Sequence, residues 1–359
     1  MRFLFSNFII ALIHIFGFLS AFVVSQKCNG YSELCSRPYN SVAFGATHNS
    51  FAVGDNNIAA NQVNPITAQL DDGVRGFMLD LHKPIDASNP LNLNSIKTKR
   101  QAQTANIRLC HTTCLLLDAG AFVDTLATFK QYMDANTDQV ITLFLENYDS
   151  FDSASIYSNF VAANLDSYLF NPTAYTTSSG FTWPTMSTIL QSKKRLIVFS
   201  SPVSDTITYP TIMRQEDYVS QTPFDVMLGN AFTCNVTPAG RGLTIVNHFV
   251  SVSQTIGNGV YQVPNFNASV VVNTMDNIDS NVNSCKNGVP PIFPNFVAVD
   301  FYNTGGLFQS IAELNKLPFT SLTTNTFPKT STKPSSAVSN RMISQIKLFI
   351  ILSTVSLLF

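Results

Sequence analysis

The chain has 359 residues, a formal net charge of −1, six cysteines and only 12% charged residues. Lys97, Lys99 and Arg100 form a small basic group that reads as a solvated loop, so nucleic-acid binding has no support. An even cysteine count between two apolar termini points instead to the secretory route and to disulfides.

In chain order, residues 1–25 read as a cleaved signal peptide. Arg2 precedes an apolar stretch reaching Val24, and Val23 and Ser25 supply small residues before a cut at Gln26. The alternative, a retained anchor, lacks a basic stop-transfer cluster. Residues 26–317 suit a single α/β domain, a TIM (β/α)8 barrel. Residues 318–340, rich in Ser, Thr, Lys and Pro, read as a stalk. Residues 341–359 read as the hydrophobic tail lost on glycosylphosphatidylinositol (GPI) anchoring. Ser335, Ser336 and Ala337 form the small site, and the apolar run from Leu348 to Phe359 is shorter than the roughly 20 residues of a spanning helix. A plain tail anchor is the other reading. Together the two ends place the protein on the extracellular face of the plasma membrane or in the cell wall.

Within the body, short apolar runs predict strands at Ser41–Ala46, Val74–Leu81, Ile107–Cys110, Val140–Leu145, Arg195–Phe199, Leu243–Asn247 and Phe296–Phe301, with an additional one near Val226–Leu228. Phe122, Leu126, Phe129 and Met133 recur at helical spacing, with Asp118 as a possible cap; Ile156, Phe160 and Ala163 suggest another helix. Strands separated by helices predict a parallel sheet, and about eight of them predict a closed barrel. The stretch from Lys83 to Ala105 reads as a loop insertion between the second and third strands.

His48, Asp80 and His111 each fall where an apolar run ends and a loop begins, the usual place for a barrel's catalytic groups. Alternation puts Met78, Asp80 and His82 on one face of their strand and Arg75 on the other, among the helices, where a structural ion pair is expected. Glu146 ends an otherwise apolar strand and must be paired, metal-bound or wet. Asp300 ends the last strand and could orient His48 or simply cap a barrel loop. His248 reads as a packed histidine bonded to a neighbouring loop. For the cysteines, Cys28–Cys35, Cys110–Cys114 and Cys234–Cys285 are the working pairs, with no argument excluding other pairings. A bridge at Cys110–Cys114 would enclose His111; a zinc site on Cys110, His111 and Cys114 is the rival. Asn235-Val236-Thr237 and Asn267-Ala268-Ser269 are glycosylation acceptors.

Ala46-Thr47-His48-Asn49-Ser50, Gly73-Val74-Arg75 through Leu79-Asp80, Leu109-Cys110-His111 and Leu145-Glu146-Asn147 resemble the X-domain of phosphatidylinositol-specific phospholipases C. Val246-Asn247-His248-Phe249 and the run Pro294 to Tyr302 extend the likeness toward secreted, often anchored fungal PLC-like phosphodiesterases. The resemblance implies a TIM barrel that cleaves a phosphodiester by two-histidine general acid–base catalysis. His48 would serve the attacking hydroxyl and His111 would protonate the departing lipid oxygen, tasks suited to imidazole near neutral pH.

Calcium-dependent members of that family imply ligands at Asn49, Met78, Asp80 and Glu146. Three of these offer oxygen and Met78 does not, so a calcium site here would be weakened, and Met78→Glu is expected to strengthen it. The metal-free type places an arginine near the phosphate; this chain has no clear equivalent, with His82 as a substitute. Ser220 and Gln221 stand where the fungal branch carries a Trp-Glu pair. Expected partners are a phosphoinositide-like lipid or glycolipid and, through the anchor, a membrane surface. A surface protein that keeps the barrel but binds with little turnover is the competing class. A glycerophosphodiesterase is more distant, since its His-Arg-Gly opening is absent at Thr47-His48-Asn49.

Overall fold

The computed structural model describes residues 26–54, 57–85, 106–256 and 259–319. The expected signal peptide, the anchor tail, the stalk beyond Phe319 and most of the Lys83–Ala105 insertion lie outside these residues.

Eight parallel strands form the main path of a ten-stranded sheet, in the order β8-β9-β12-β1-β2-β5-β6-β7. They are β1 (Phe44–Thr47), β2 (Gly76–His82), β5 (Ile141–Asn147), β6 (Leu196–Ser201), β7 (Met213–Arg214), β8 (Val219–Gln221), β9 (Leu243–Asn247) and β12 (Phe296–Val299). Their near-continuous apolar runs follow from burial on both faces. Inside the curl, Phe44, Met78, Phe144, Phe199 and Phe296 share one cluster, with Phe144 stacked on Phe199 and edge-on to Phe296 at a centroid distance of 4.9 Å. Gly76 permits the closest approach here, since a Cβ on it would fall 2.8 Å from the Ala46 Cβ. On the outer face, Phe129 of the helix Phe122–Ala135 meets Phe77 at 4.9 Å.

Four expectations need correction. The closed barrel is open at one seam: β7 and β8, joined by the four-residue helix Gln215–Tyr218, are the ends of this path and share no pairing. Two- and three-residue strands carry no readable period, so neither was foreseen. The third expected strand, β3 (Arg108–His111), is not a barrel strand. It runs antiparallel to β2 and to β4 (Leu117–Ala121), off the eight-strand path. Periodicity is blind to strand direction. Near Val226–Leu228 only an isolated bridge, Met227 to Ser251, forms. Asp118 does not cap the following helix, whose N-cap is Ala121; it holds Arg108 Nε with both oxygens, at 2.7 and 2.9 Å.

Beyond the barrel, β10 (Ser251–Ile256) and β11 (Gly259–Pro264) make an antiparallel ribbon. The disulfides are Cys28–Cys35, Cys110–Cys114 and Cys234–Cys285, so the sulfurs beside His111 bind each other rather than zinc. Asn235 and Asn267 are exposed, as glycosylation acceptors must be. Among the described residues no helix is long and apolar enough to cross a membrane.

Candidate active site

Strand alternation carries the polar residues to the mouth of the sheet. Phe44 and Ala46 point inward on β1, so His48, two residues on, does too; Met78 precedes Asp80, Phe144 precedes Glu146, and Phe296 and Ala298 precede Asp300. At both ends of the His48–Asp300 pair the chain turns abruptly. Asn49 and Phe301 adopt φ of 42° and 47°, left-handed conformations that non-glycine residues hold only under constraint.

His48 Nδ1 donates to Asp300 Oδ1 at 2.9 Å, and its ring stacks flat on Phe249 at 3.9 Å. Asn61 Nδ2 donates to the same Asp300 oxygen at 2.8 Å and lies 3.1 Å from His48 Nδ1. Asp300 is buried, and its Oδ2 has no hydrogen-bond partner among the described residues. His111 arrives from the end of β3, held by the Cys110–Cys114 bridge, and its Nδ1 donates to the Ala59 carbonyl at 2.6 Å. Burial pushes the His111 pKa down to about 4, partly offset by that carbonyl. The two imidazoles stand edge-on with centroids 6.5 Å apart. Since each Nδ1 is engaged on the protein side, both Nε2 atoms are turned to shared space.

One amide occupies that space. With its amide nitrogen turned toward Asp80, Asn49 donates to both carboxylate oxygens, at 2.9 and 3.1 Å. Its Oδ1 then lies 3.2 Å from Nε2 of His48 and 3.2 Å from Nε2 of His111. Asp80 is buried and directly opposite Glu146 in the β2–β5 register. Burial first, and then the Glu146 charge, raise its pKa well above the usual carboxylate range. Tyr148 donates to Glu146 Oε2 at 3.0 Å, and its ring stacks on His82, which lies 3.6 Å from Asp149.

Among the described residues no three His, Cys, Asp or Glu side chains group as a metal site. The oxygen donors that could hold a hard cation are the facing carboxylates Asp80 and Glu146, joined by Asn49 only when its amide turns Oδ1 toward Asp80. Met78 adds nothing to this set: its side chain is in the apolar core, and its backbone N–H bonds Ser50 Oγ at 3.0 Å.

The remaining candidates lie elsewhere. Arg75 sits among the helices as alternation required, but not in the expected ion pair. Its guanidinium donates to Gln139 Oε1, the Tyr132 hydroxyl and the carbonyls of Leu70 and Val74, at 2.7–2.9 Å. His248 is a packed histidine, bonded to the Val272 carbonyl and the Asn281 amide and stacked on Phe232. Asn61 and Gln62 were not foreseen, and Phe249, though part of a run that carries the family likeness, had no expected role. Asn61 and Gln62 form a polar pair after Ala59-Ala60 in a loop, with no period or motif to mark them.

A family model described as PI-PLC X 1 matches residues 34–315. A protein of Arthroderma benhamiae named PI-PLC X domain-containing protein 1 is 30% identical over 298 residues, covering 81% of this chain and 90% of that protein. A second protein of the same fungus, named an uncharacterized secreted protein, is 27% identical over 312 residues, 82% of this chain and 65% of its own length. The solved phosphatidylinositol-specific phospholipase C from Listeria monocytogenes is 14% identical, with a TM-score of 0.48 covering 80% of this chain and 96% of that one. With a family match over more than half its length and a relative of 30% identity across most of it, the chain belongs to the PI-PLC X domain family.

Proposed function

We propose that this protein is a phosphoric diester hydrolase of the phospholipase C type, acting on a phosphoinositide or glycosyl-phosphoinositide by two-histidine general acid–base catalysis. The observation that carries the reading is the convergence of two Nε2 atoms, each within 3.2 Å of one atom, from rings fixed at Nδ1. A single phosphodiester that takes the place of the Asn49 oxygen can touch both.

His48, with its Nδ1 proton on Asp300, is placed to take a proton from the attacking hydroxyl through Nε2, and the carboxylate steadies the imidazolium that forms. His111 is neutral in the free site because it is buried. An anionic phosphodiester beside it favours the charged ring, so its acidic form accompanies the ligand. Asp80 and Glu146, joined by Asn49 when its Oδ1 turns toward Asp80, would hold calcium, which when bound supplies positive charge to the non-bridging oxygens. Secretion and a GPI anchor would place this site at the outer membrane surface or cell wall; the three disulfides and the secreted relative support the secretory route.

The test gives the secreted protein phosphatidylinositol, a glycosylated relative and a soluble aryl phosphodiester, in calcium and in chelator. His48→Ala and His111→Ala are each expected to lower kcat by about 10³-fold, within the range of acid–base catalysis. Unchanged turnover in either variant refutes the mechanism. Met78, which stands where calcium-dependent members of the family would carry an acid and is packed in the apolar core, favours a second reading, a surface protein that binds without turnover. Binding with no product from any substrate decides for it.

A further inference from the structure

We propose that Asn61 is the positioning residue of the His48–Asp300 pair, fixing the carboxylate so that His48 Nε2 faces the ligand. The inference rests on the acid–base reading above and assigns a role to a residue outside the two histidines and the acid.

The geometry is a shared acceptor. Asp300 Oδ1 receives both the His48 ring and the Asn61 amide, at 2.9 and 2.8 Å, from neighbouring directions, the two nitrogens lying 3.1 Å apart. Two donors of fixed direction on one oxygen leave the carboxylate little freedom to rotate. The Asn61 backbone is tied at both ends, which fixes the point from which its buried side chain reaches the acid. Its N–H donates to Ala52 O at 2.9 Å, and its carbonyl accepts from Phe301 N at 2.7 Å. The next residue secures the strand ends themselves. Gln62 Nε2 donates to the carbonyls of His48 and Val299, at 2.8 and 3.1 Å, while its Oε1 accepts from Tyr302 N at 3.2 Å. Consecutive amides therefore span the tips of β1 and β12 where both left-handed residues occur. Strained backbone persists only where its surroundings over-determine it, and these bonds do that.

An amide suits this place better than a cation. Lysine or arginine would hold Asp300 equally well but neutralise it, removing the charge that stabilises a protonated His48. Asparagine orients the carboxylate and leaves its charge intact. A plain fold anchor would need only the Asn61 backbone bonds; here the buried side chain is committed to the acid.

The experiment compares Asn61→Ala and Asn61→Asp with wild type, and repeats Asn61→Ala in an Asp300→Ala background. Asn61→Ala is expected to lower kcat by about 10–100-fold with KM within about twofold, the scale of misplaced catalytic groups. Asn61→Asp keeps the shape but replaces the donor by an anion, and is expected to lose at least as much. With Asp300 already gone, Asn61→Ala is expected to cost less than about twofold more, since the two act as one unit. Equal losses in both backgrounds mean a merely structural residue and overturn the proposal. A second readout needs no turnover. The low-field Nδ1 proton of His48, identified by its disappearance in His48→Ala, is expected to shift or vanish in Asn61→Ala while the backbone amide spectrum is retained; an unmoved resonance refutes the role. Should the wild type hydrolyse nothing, the functional reading fails and this resonance alone decides Asn61.

Discussion

His111 and His248 are alike in nearly every local respect. Both are buried, both give one ring nitrogen to a backbone carbonyl, and burial brings both to a pKa of about 4. They differ in the second nitrogen. In His248 it accepts from Asn281 and the ring is sealed against Phe232, whereas in His111 it opens onto the space shared with His48. Burial and a shifted pKa therefore do not by themselves mark a functional histidine; the destination of the free nitrogen does.

The sharpest way to break this contrast is substitution. His111→Ala is expected to cost about 10³-fold in kcat, while His248→Gln leaves kcat within about threefold and lowers the melting temperature instead. Comparable activity losses in the two would erase the distinction. Next in size is Met78→Glu. The sequence alone suggested tighter calcium binding, but the side chain lies among Phe44, Phe144 and Phe296, where an unpaired carboxylate costs several kcal/mol. Chemical denaturation in chelator is expected to show that loss. Partial recovery in calcium would show that the new acid reaches the metal, and no recovery removes position 78 from the site.

Acid stability is a trait the two histidines share. A base whose folded pKa lies near 4, against about 6.5 unfolded, is neutral in both states above pH 6.5. As pH falls from 6.5 toward 4 the unfolded chain takes up protons that the folded protein does not, so stability drops, by up to about 3 kcal/mol per histidine. His248→Gln is expected to flatten part of that decline in a pH series of urea melts; an unchanged slope would mean that His248 does not contribute. The smallest effect belongs to Asp118→Ala. Its pairing with Arg108 is partly exposed, and losing it is expected to cost less than about 1 kcal/mol by denaturant titration.

The faces of Asp80 and Glu146 were legible because a period of two survives in any strand and each follows apolar positions of the same face, whereas His48 and Asp300 were marked only as the ends of apolar runs. The side of the sheet occupied by Arg75 was legible from the same period. What failed to show was pairing. Nothing in Ile107–Cys110 records that its neighbour runs the opposite way, and the short runs at Met213 and Val219 hold too few residues to alternate. Asn61 and Gln62 were hidden differently. Their partners lie some 240 positions away in the chain, so their value exists only once β12 is laid beside β1. Asp118 matched a local capping pattern, but an arginine across the strand pair competed for it and won.

The unpaired seam between β7 and β8 has a consequence for how these molecules behave together. A break in a barrel wall is normally an invitation to a stranger's strand. Here one lip is two residues long and the other three, and Gln221 on the longer lip is already bonded, N–H to carbonyl in both directions, to Thr237. Too little ladder is left to recruit a second copy, and crowded solutions should not drive these sheets to zip end upon end.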